Sequence, residues 1–264
     1  MSKIIIDKET IEGTYNKHRN IINAANELGI GKNTFSRLMK EYGIPTVGVQ
    51  GARKNFYNEK YFDIIDTEEK AYWLGFIYAV GCVYRGSDKH SYRLQINLKQ
   101  SDEEHLVKFQ NAIGSNYKLY NNLNTKSVSL KVNSTRMCED LIRHGVVCSK
   151  SLIVKPPKIK DELIRHFVRG LFDGDGSISW LRGRTPKVTI ITGSEELANW
   201  LKYRLSGFNI YIYKRTHDLY SLESQSVSVV KDFYNTIYSN ANVCLNRKYI
   251  KFDDIVNNKC PLQE

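Results

Sequence analysis

Residues 73–83 have the sequence WLGFIYAVGCV, and residues 168–178 have the sequence VRGLFDGDGSI. The second stretch begins 95 positions after the first, and both place a glycine third and another glycine ninth. Glycine inside a helix costs about 1 kcal/mol relative to alanine, so two such helices need a packing reason. Small residues four apart form a flat stripe that lets a second backbone approach. These pairs are Gly75 with Ala79 and Gly170 with Gly174. The sequence therefore predicts two helices in close contact.

The two stretches differ in chemistry at one matched position, which is Val80 in the first and Asp175 in the second. This position follows the small-residue stripe by one residue, so its side chain is expected at the end of the helix contact. A single stretch of this kind would be explained by a buried amphipathic helix with a glycine-rich end. Recurrence at a fixed offset instead indicates an internal duplication.

Further correspondences extend the repeat outward from the two stretches. SDEE at 101–104 opens a predicted helix, and SEE at 194–196 opens another; both have the form of an N-cap followed by acidic residues. Later, 128–141 (VSLKVNSTRMCEDL) aligns with 220–233 (YSLESQSVSVVKDF). Each of these is predicted to be a strand, a serine-containing turn and a helix. The order of elements matches in both halves.

On these motifs the chain resembles the LAGLIDADG (dodecapeptide-type) homing endonucleases in their single-chain, two-repeat form. The resemblance extends from residue 57 to the C-terminal region. It implies an α+β fold with two pseudo-symmetric αββαββα repeats, whose curved antiparallel sheets form a saddle over double-stranded DNA. The first repeat is expected at 57–155 and the second at 156–264.

The resemblance also implies a chemistry. In the family an acidic residue at the end of each such helix binds Mg²⁺ for hydrolysis of one phosphodiester per strand. Asp175 is then the metal ligand and a catalytic residue, whereas Val80 offers no ligand. Lys150 and Lys248 occupy matched positions, and the family places a lysine of this region near the scissile phosphates. Asp173 is expected to be a surface or capping residue.

Three functions follow from this resemblance. The first is site-specific DNA binding by a protein whose cleavage is abolished or reduced to nicking, because Val80 replaces one acid. The second is a working Mg²⁺-dependent homing endonuclease, with Val80 compensated by another ligand or introduced by engineering. The third is an RNA-binding, maturase-like intron splicing helper.

The N-terminal segment has the pattern of a helix-turn-helix at 21–42, with a small residue at Ala25 and a turn at Gly29. A first helix around 11–18 would complete a three-helix domain at 1–44, followed by a basic linker at 45–56. A helical hairpin used only for packing or protein contact is the alternative. Side chains predicted to face outward toward DNA are Lys32, Asn33, Ser36, Arg37 and Lys40, and the linker adds Arg53 and Lys54.

Residues 92–99 alternate strictly between polar and apolar side chains, which predicts a half-buried strand. By resemblance its polar face reads base edges in the major groove, although any solvated antiparallel sheet alternates in this way. The candidate contacts in this strand are Arg93, Gln95, Asn97 and Lys99. In the second repeat Lys187 and Arg215 are candidates, but the sequence does not determine which face of that sheet points outward.

The composition favours a polyanionic partner, because 39 Lys and Arg against 28 Asp and Glu give a net charge of +11. The five cysteines include no C-x-x-C pair, which argues against a zinc site. The apolar run at 71–83 is too short to span a membrane. We therefore expect a monomer in the cytoplasm of a bacterial or phage-infected cell, without membrane association.

Overall fold

The computed structural model describes residues 6–18, 20–45, 55–88, 90–146, 154–181, 185–215 and 219–257. The chain divides into two compact units, Met1–Phe56 and Tyr57–Glu264. In the first unit three helices follow one another: α1 (Lys8–His18), α2 (Ile21–Glu27) and α3 (Lys32–Glu41). The predicted N-terminal helices are therefore present.

Local chemistry explains the helix pair of the first unit. The Asn20 side chain accepts hydrogen bonds from the amides of Ile22 and Asn23, which caps the start of α2. After α2 the chain turns at Gly29, whose φ of +64° lies in the left-handed region that favours glycine. Ala25 is buried, as the crossing of the two helices requires. The remaining core includes Ile11, Ala24, Phe35, Leu38 and Met39.

The second unit contains the same order of elements twice. The first copy consists of α4 (Glu68–Val80), β1 (Gly81–Arg85), β2 (Tyr92–Lys99), α5 (Glu103–Ala112), β3 (Tyr120–Asn122), β4 (Ser127–Asn133) and α6 (Thr135–Arg143). The second consists of α7 (Ile164–Asp175), β5 (Ser177–Leu181), β6 (Thr185–Thr192), α8 (Glu195–Arg204), β7 (Tyr211–Lys214), β8 (Tyr220–Gln225) and α9 (Val227–Tyr238), and α10 (Asn246–Asn257) follows it. The α+β prediction of two αββαββα repeats is confirmed.

Each repeat forms one four-stranded antiparallel sheet. The strand order is β1-β2-β4-β3 in the first sheet and β5-β6-β8-β7 in the second. Leu94 and Ile96 of β2 are buried, which confirms the predicted alternation of this strand. The repeat boundary at residue 155 stays a prediction; the described residues 154–160 contain no helix or strand.

The two glycine-containing helices pack directly against each other. A Cβ atom on Gly75 would lie 2.0 Å from the carbonyl oxygen of Phe167, and one on Gly170 would lie 1.9 Å from that of Tyr72. A Cβ on Gly174 would lie 2.1 Å from the Cβ of Ala79. The predicted close contact of α4 and α7 is confirmed, and its cause is backbone approach at the small residues.

The two predicted N-caps have different outcomes. Ser194 accepts a hydrogen bond from the amide of Leu197 at 3.1 Å, so the cap of α8 is confirmed. The cap predicted at Ser101 is wrong, because residues 100–102 form a 3-10 turn and Asp102 takes the N-cap position of α5 without a side-chain hydrogen bond to the helix. Both oxygens of Asp102 instead accept from Nε of Arg247, at 2.9 and 3.0 Å. An ion pair with a residue 145 positions away has replaced a local cap.

Candidate metal and nucleic-acid site

The paired helices α4 and α7 end side by side, at Val80 and Asp175. The contact between Gly174 and Ala79 holds these ends together, and the Cγ1 atom of Val80 lies 3.4 Å from where a Gly174 Cβ would stand. Asp175 is exposed and Val80 is half-buried. Where the two helices end, α7 therefore presents a carboxylate and α4 presents an isopropyl group.

Each helix end lines its own cavity. The cavity at Asp175 has a volume of about 150 Å³ and is also lined by Ala79, Ile191 and Thr192. The cavity at Val80, which we call the Val80 cavity, has a volume of about 340 Å³. Two carboxylates line it, those of Asp102 and Asp173. If another carboxylate in this cavity replaced the metal ligand that Val80 lacks, it would have to be Asp102 or Asp173, and that carboxylate would have to be free of other contacts.

Asp173 is not the surface or capping residue that the sequence predicted. It is fully buried, and its carboxylate accepts hydrogen bonds from the hydroxyls of Tyr72 (2.8 Å) and Tyr238 (2.5 Å) and from the amide of Leu245 (2.7 Å). Burial raises the pKa of Asp173, and the three donors oppose that shift. The correction arises because Tyr238 and Leu245 lie far along the chain from Asp173. With Asp102 held by Arg247, both carboxylates in the Val80 cavity are already engaged.

Buried His105 continues this network. Its Nε2 lies 2.9 Å from the Tyr72 hydroxyl, and its Nδ1 has no partner in the described part of the chain. Because the Tyr72 hydroxyl donates its proton to Asp173, its oxygen acts as the acceptor for His105. Nε2 of His105 therefore carries a proton and donates it to the Tyr72 oxygen. Burial lowers the pKa of His105 to about 3, so the ring is neutral. It also lowers the pKa of His166 to about 4.

These histidines predict a loss of stability in acid. Between pH 6.5 and about 4, the unfolded chain binds protons that folded His105 and His166 reject, so unfolding becomes more favourable as the pH falls. Each group contributes a slope of about 1.4 kcal/mol per pH unit. Urea unfolding at several pH values should show a shallower slope for His105→Leu than for the wild type, whereas exposed His90→Gln should leave it unchanged. Equal slopes in all three proteins would contradict the assignment.

Lys248 stabilises the end of α7 that carries Asp175. Its Nζ donates to the carbonyl oxygens of Phe172 (2.9 Å), Gly174 (3.2 Å) and Gly176 (2.5 Å). A cation at a helix C-terminus also interacts favourably with the helix dipole. Burial lowers the pKa of Lys248 to about 8. Its catalytic role stays a prediction, and Lys150 lies outside the described residues.

The outer face of the first sheet carries the predicted polar side chains of β2. Asn97 and Lys99 are exposed, while Arg93 and Gln95 are half-buried. The Arg93 guanidinium lies 5.2 Å from the centroid of the Tyr84 ring. Strand register adds residues that sequence reasoning missed on this face, such as Lys131 opposite Gln95. The alternation of polar and apolar residues along β4, which has the sequence SVSLKVN, could have revealed them.

The structure settles which face of the second sheet points outward. Tyr211 and Tyr213 are 63% and 43% exposed and share a face with Glu223 of the adjacent strand. Glu223 was not predicted, yet it holds both predicted cations: its carboxylate lies 2.7 Å from Nζ of Lys187 and 2.5 Å from a terminal nitrogen of Arg215. The two sheets therefore present different charge patterns.

The candidates on α3 have the orientation that the sequence predicted. Lys32, Asn33, Arg37 and Lys40 are exposed and Ser36 is half-buried. Arg37 forms an ion pair with Glu41 at 2.7 Å, one helical turn away. Arg53 and Lys54 lie outside the described residues. DNA contact by all of these residues stays a prediction.

The donor set at the helix ends decides where a metal fits. Within the described ranges, no group of three or more His, Cys, Asp or Glu side chains is placed to share a metal. Mg²⁺ commonly uses one or two carboxylates together with water and substrate phosphates, so the exposed Asp175 carboxylate fits such an ion. The apolar side chain of Val80 does not. The donor chemistry therefore fits Mg²⁺ at the end of α7 and not at the end of α4.

Part of the chain is similar to a known protein family. Residues 162–250, from just before α7 into α10, match the model of the LAGLIDADG-like domain. The second repeat is thus similar to the LAGLIDADG-like domain, as the sequence predicted. The matched residues include α7, which ends in an acid. No curated protein sequence matches this chain.

Solved LAGLIDADG structures share the fold. A lysine-to-alanine mutant of I-SmaMI superimposes with a TM-score of 0.53 at 12% identity, covering 71% of this chain and 89% of that one. I-AabMI bound to uncleaved DNA gives 0.53 at 13% identity, covering 73% and 90%. I-LtrWI bound to target DNA gives 0.50 at 11% identity, covering 75% and 89%. In the described part of this chain no helix is both long and apolar enough to cross a membrane.

Proposed function

We propose that this chain is a site-specific, double-stranded DNA-binding protein in which metal-assisted cleavage is confined to the strand that faces Asp175. The observation that carries the proposal is Val80 at the end of α4. The two carboxylates that line its cavity, Asp102 and Asp173, are engaged by Arg247 and by three hydrogen-bond donors. Compensation of Val80 by either one would break these contacts.

Duplex DNA as the partner is supported by charge and by the fold. The polar face of β2 presents Arg93 and Lys99 beside the amides of Gln95 and Asn97, which are donors and acceptors suited to base edges. The LAGLIDADG structures I-AabMI and I-LtrWI were solved with DNA. The outward polar side chains of α3 suit a second contact, and two tethered contacts on one duplex would raise affinity.

Asp175 would hold the metal, and Lys248 would keep the end of α7 in place behind it through its three carbonyl contacts. A bound Mg²⁺ ion would supply a water of lowered pKa and neutralise charge on the phosphate. At the other helix end Val80 supplies no ligand for that chemistry. We therefore propose nicking of one strand at most, with regulation or target marking as uses of the bound protein.

The test compares the wild type with Val80→Asp on duplexes that the wild type selects from a random library. Val80→Asp is expected to cut the second strand at least about ten-fold faster in Mg²⁺, because a carboxylate returns to the end of α4. Val80→Asn is the matched control, since asparagine has the shape of aspartate without its charge. Strand-specific end labels report each cut separately.

Other outcomes would overturn the proposal. Equal cutting of both strands by the wild type would show a working endonuclease. Selection of structured RNA and no duplex would show the splicing helper. If the wild type binds no nucleic acid in either library, the proposed function fails altogether.

A further inference from the structure

Three cationic side chains from separate segments line the Val80 cavity. Lys99 lies at the end of β2, Lys126 in the turn before β4, and Arg247 in the first turn of α10. The amide of Gln100 donates to the carbonyl oxygen of Lys126 at 2.9 Å, which ties the first two segments together. The convergence of the three cations is thus fixed by backbone contact as well as by the fold.

The acids of this cavity do not cancel its cations. Arg247 contacts Asp102 through Nε alone, and its terminal amino groups make no other hydrogen bond within the described residues. The Arg247 side chain is 51% exposed, against 4% for Asp102. Asp173 is covered by its three donors. The accessible charge of the cavity is therefore positive.

The cavity at Asp175 has a different lining. Its lining residues among those described include the Asp175 carboxylate and no lysine, arginine or histidine. A phosphate beside Asp175 would need a divalent cation between the two negative groups. A phosphate beside Val80 would meet three cations and no accessible carboxylate.

We infer that the Val80 cavity is a binding site for a DNA backbone phosphate that needs no divalent metal, with Lys99, Lys126 and Arg247 as its ligands. The inference rests on the proposed DNA-binding function and adds to it a separate anchor for the uncut strand. Charge-assisted hydrogen bonds from lysine and arginine are the usual ligands of such phosphates. The two halves of the site thus differ in their demand for metal.

The experiment measures binding in EDTA to the selected duplex, with each central phosphate replaced in turn by an uncharged methylphosphonate. In the wild type, one replacement on the strand beside Val80 is expected to weaken binding about ten-fold. The double variant Lys99→Gln/Lys126→Gln should bind the unmodified duplex more weakly and should lose sensitivity to that replacement. Both lysines are exposed, so the variant should fold.

Lys202→Gln is the matched control, since it removes an exposed lysine from α8, whose buried side packs in the core. It should keep the full sensitivity of the wild type to the replacement. Unchanged sensitivity in the double variant would overturn the phosphate site while leaving the proposed function intact. An effect that appears only with Mg²⁺ would also overturn it. Absence of duplex binding by the wild type would instead refute the proposed function.

Discussion

Gly170→Ala is expected to lower the free energy of unfolding of the second unit by roughly 4 kcal/mol or more. The new methyl group would stand 1.9 Å from the carbonyl oxygen of Tyr72 and 2.8 Å from the amide nitrogen of Phe76, both in the backbone of α4. Backbone atoms inside a packed helix cannot give way as a side-chain end can. Helices α4 and α7 must therefore move apart along their whole contact.

Tryptophan fluorescence during urea unfolding measures this effect, because all three tryptophans lie in the second unit. Gly207→Ala is the matched control, since a Cβ at that exposed position would meet nothing within 4 Å. It should be neutral or slightly stabilising. A Gly170→Ala protein as stable as this control would mean that α4 and α7 are not in backbone contact.

Asp175→Asn is expected to reduce metal-dependent nicking by about a thousand-fold, since the metal contributes several kcal/mol and each 1.36 kcal/mol is a factor of ten. Binding of DNA in EDTA should be retained or slightly tighter, because one negative charge that faces the polyanion is removed. A split between cleavage and binding is the signature of a metal ligand.

Conversion of a supercoiled plasmid that carries the selected site into the relaxed circle measures nicking. The same substitution is also made in Val80→Asp, in which both strands are expected to be cut. There Asp175→Asn should leave cutting of one strand only, which is a larger change in the product. Asp254→Asn, which removes an exposed acid from α10, is the control and should nick like the wild type. Persistent nicking by Asp175→Asn would exclude Asp175 as the metal ligand.

The Glu68–Arg169 pair shows what a repeat pattern cannot reveal. Arg169 matches Leu74 of the first repeat and is fully buried. Its guanidinium donates to Glu68 at 2.7 Å and to the carbonyl oxygens of Val243 (2.9 Å) and Ile237 (2.8 Å). These partners come from segments far apart in sequence. No local signal distinguishes such an arginine from an exposed, DNA-contacting one.

Asp173 and Asp175, which are two residues apart in α7, also show that contacts with distant segments decide which side chain is buried. Residues two apart on an α-helix point in nearly opposite directions, yet the sequence predicted a surface or capping role for Asp173 as well. The duplicated motif selected Asp175 for the end of the helix contact. Burial of Asp173 under Tyr72, Tyr238 and Leu245 depended on the second half of the fold.

The amino-acid sequence by itself determined the duplication, the contact of α4 with α7 and the difference between Val80 and Asp175 at the matched position. Each of these depends on local periodicity or on a repeat at a fixed offset, which a linear pattern records. The tertiary structure alone decided which charges face each other: Glu223 with Lys187 and Arg215, Arg247 with Asp102, and the three cations of the Val80 cavity. The physical reason is that electrostatic interactions act across space, between side chains that the fold brings together from distant positions.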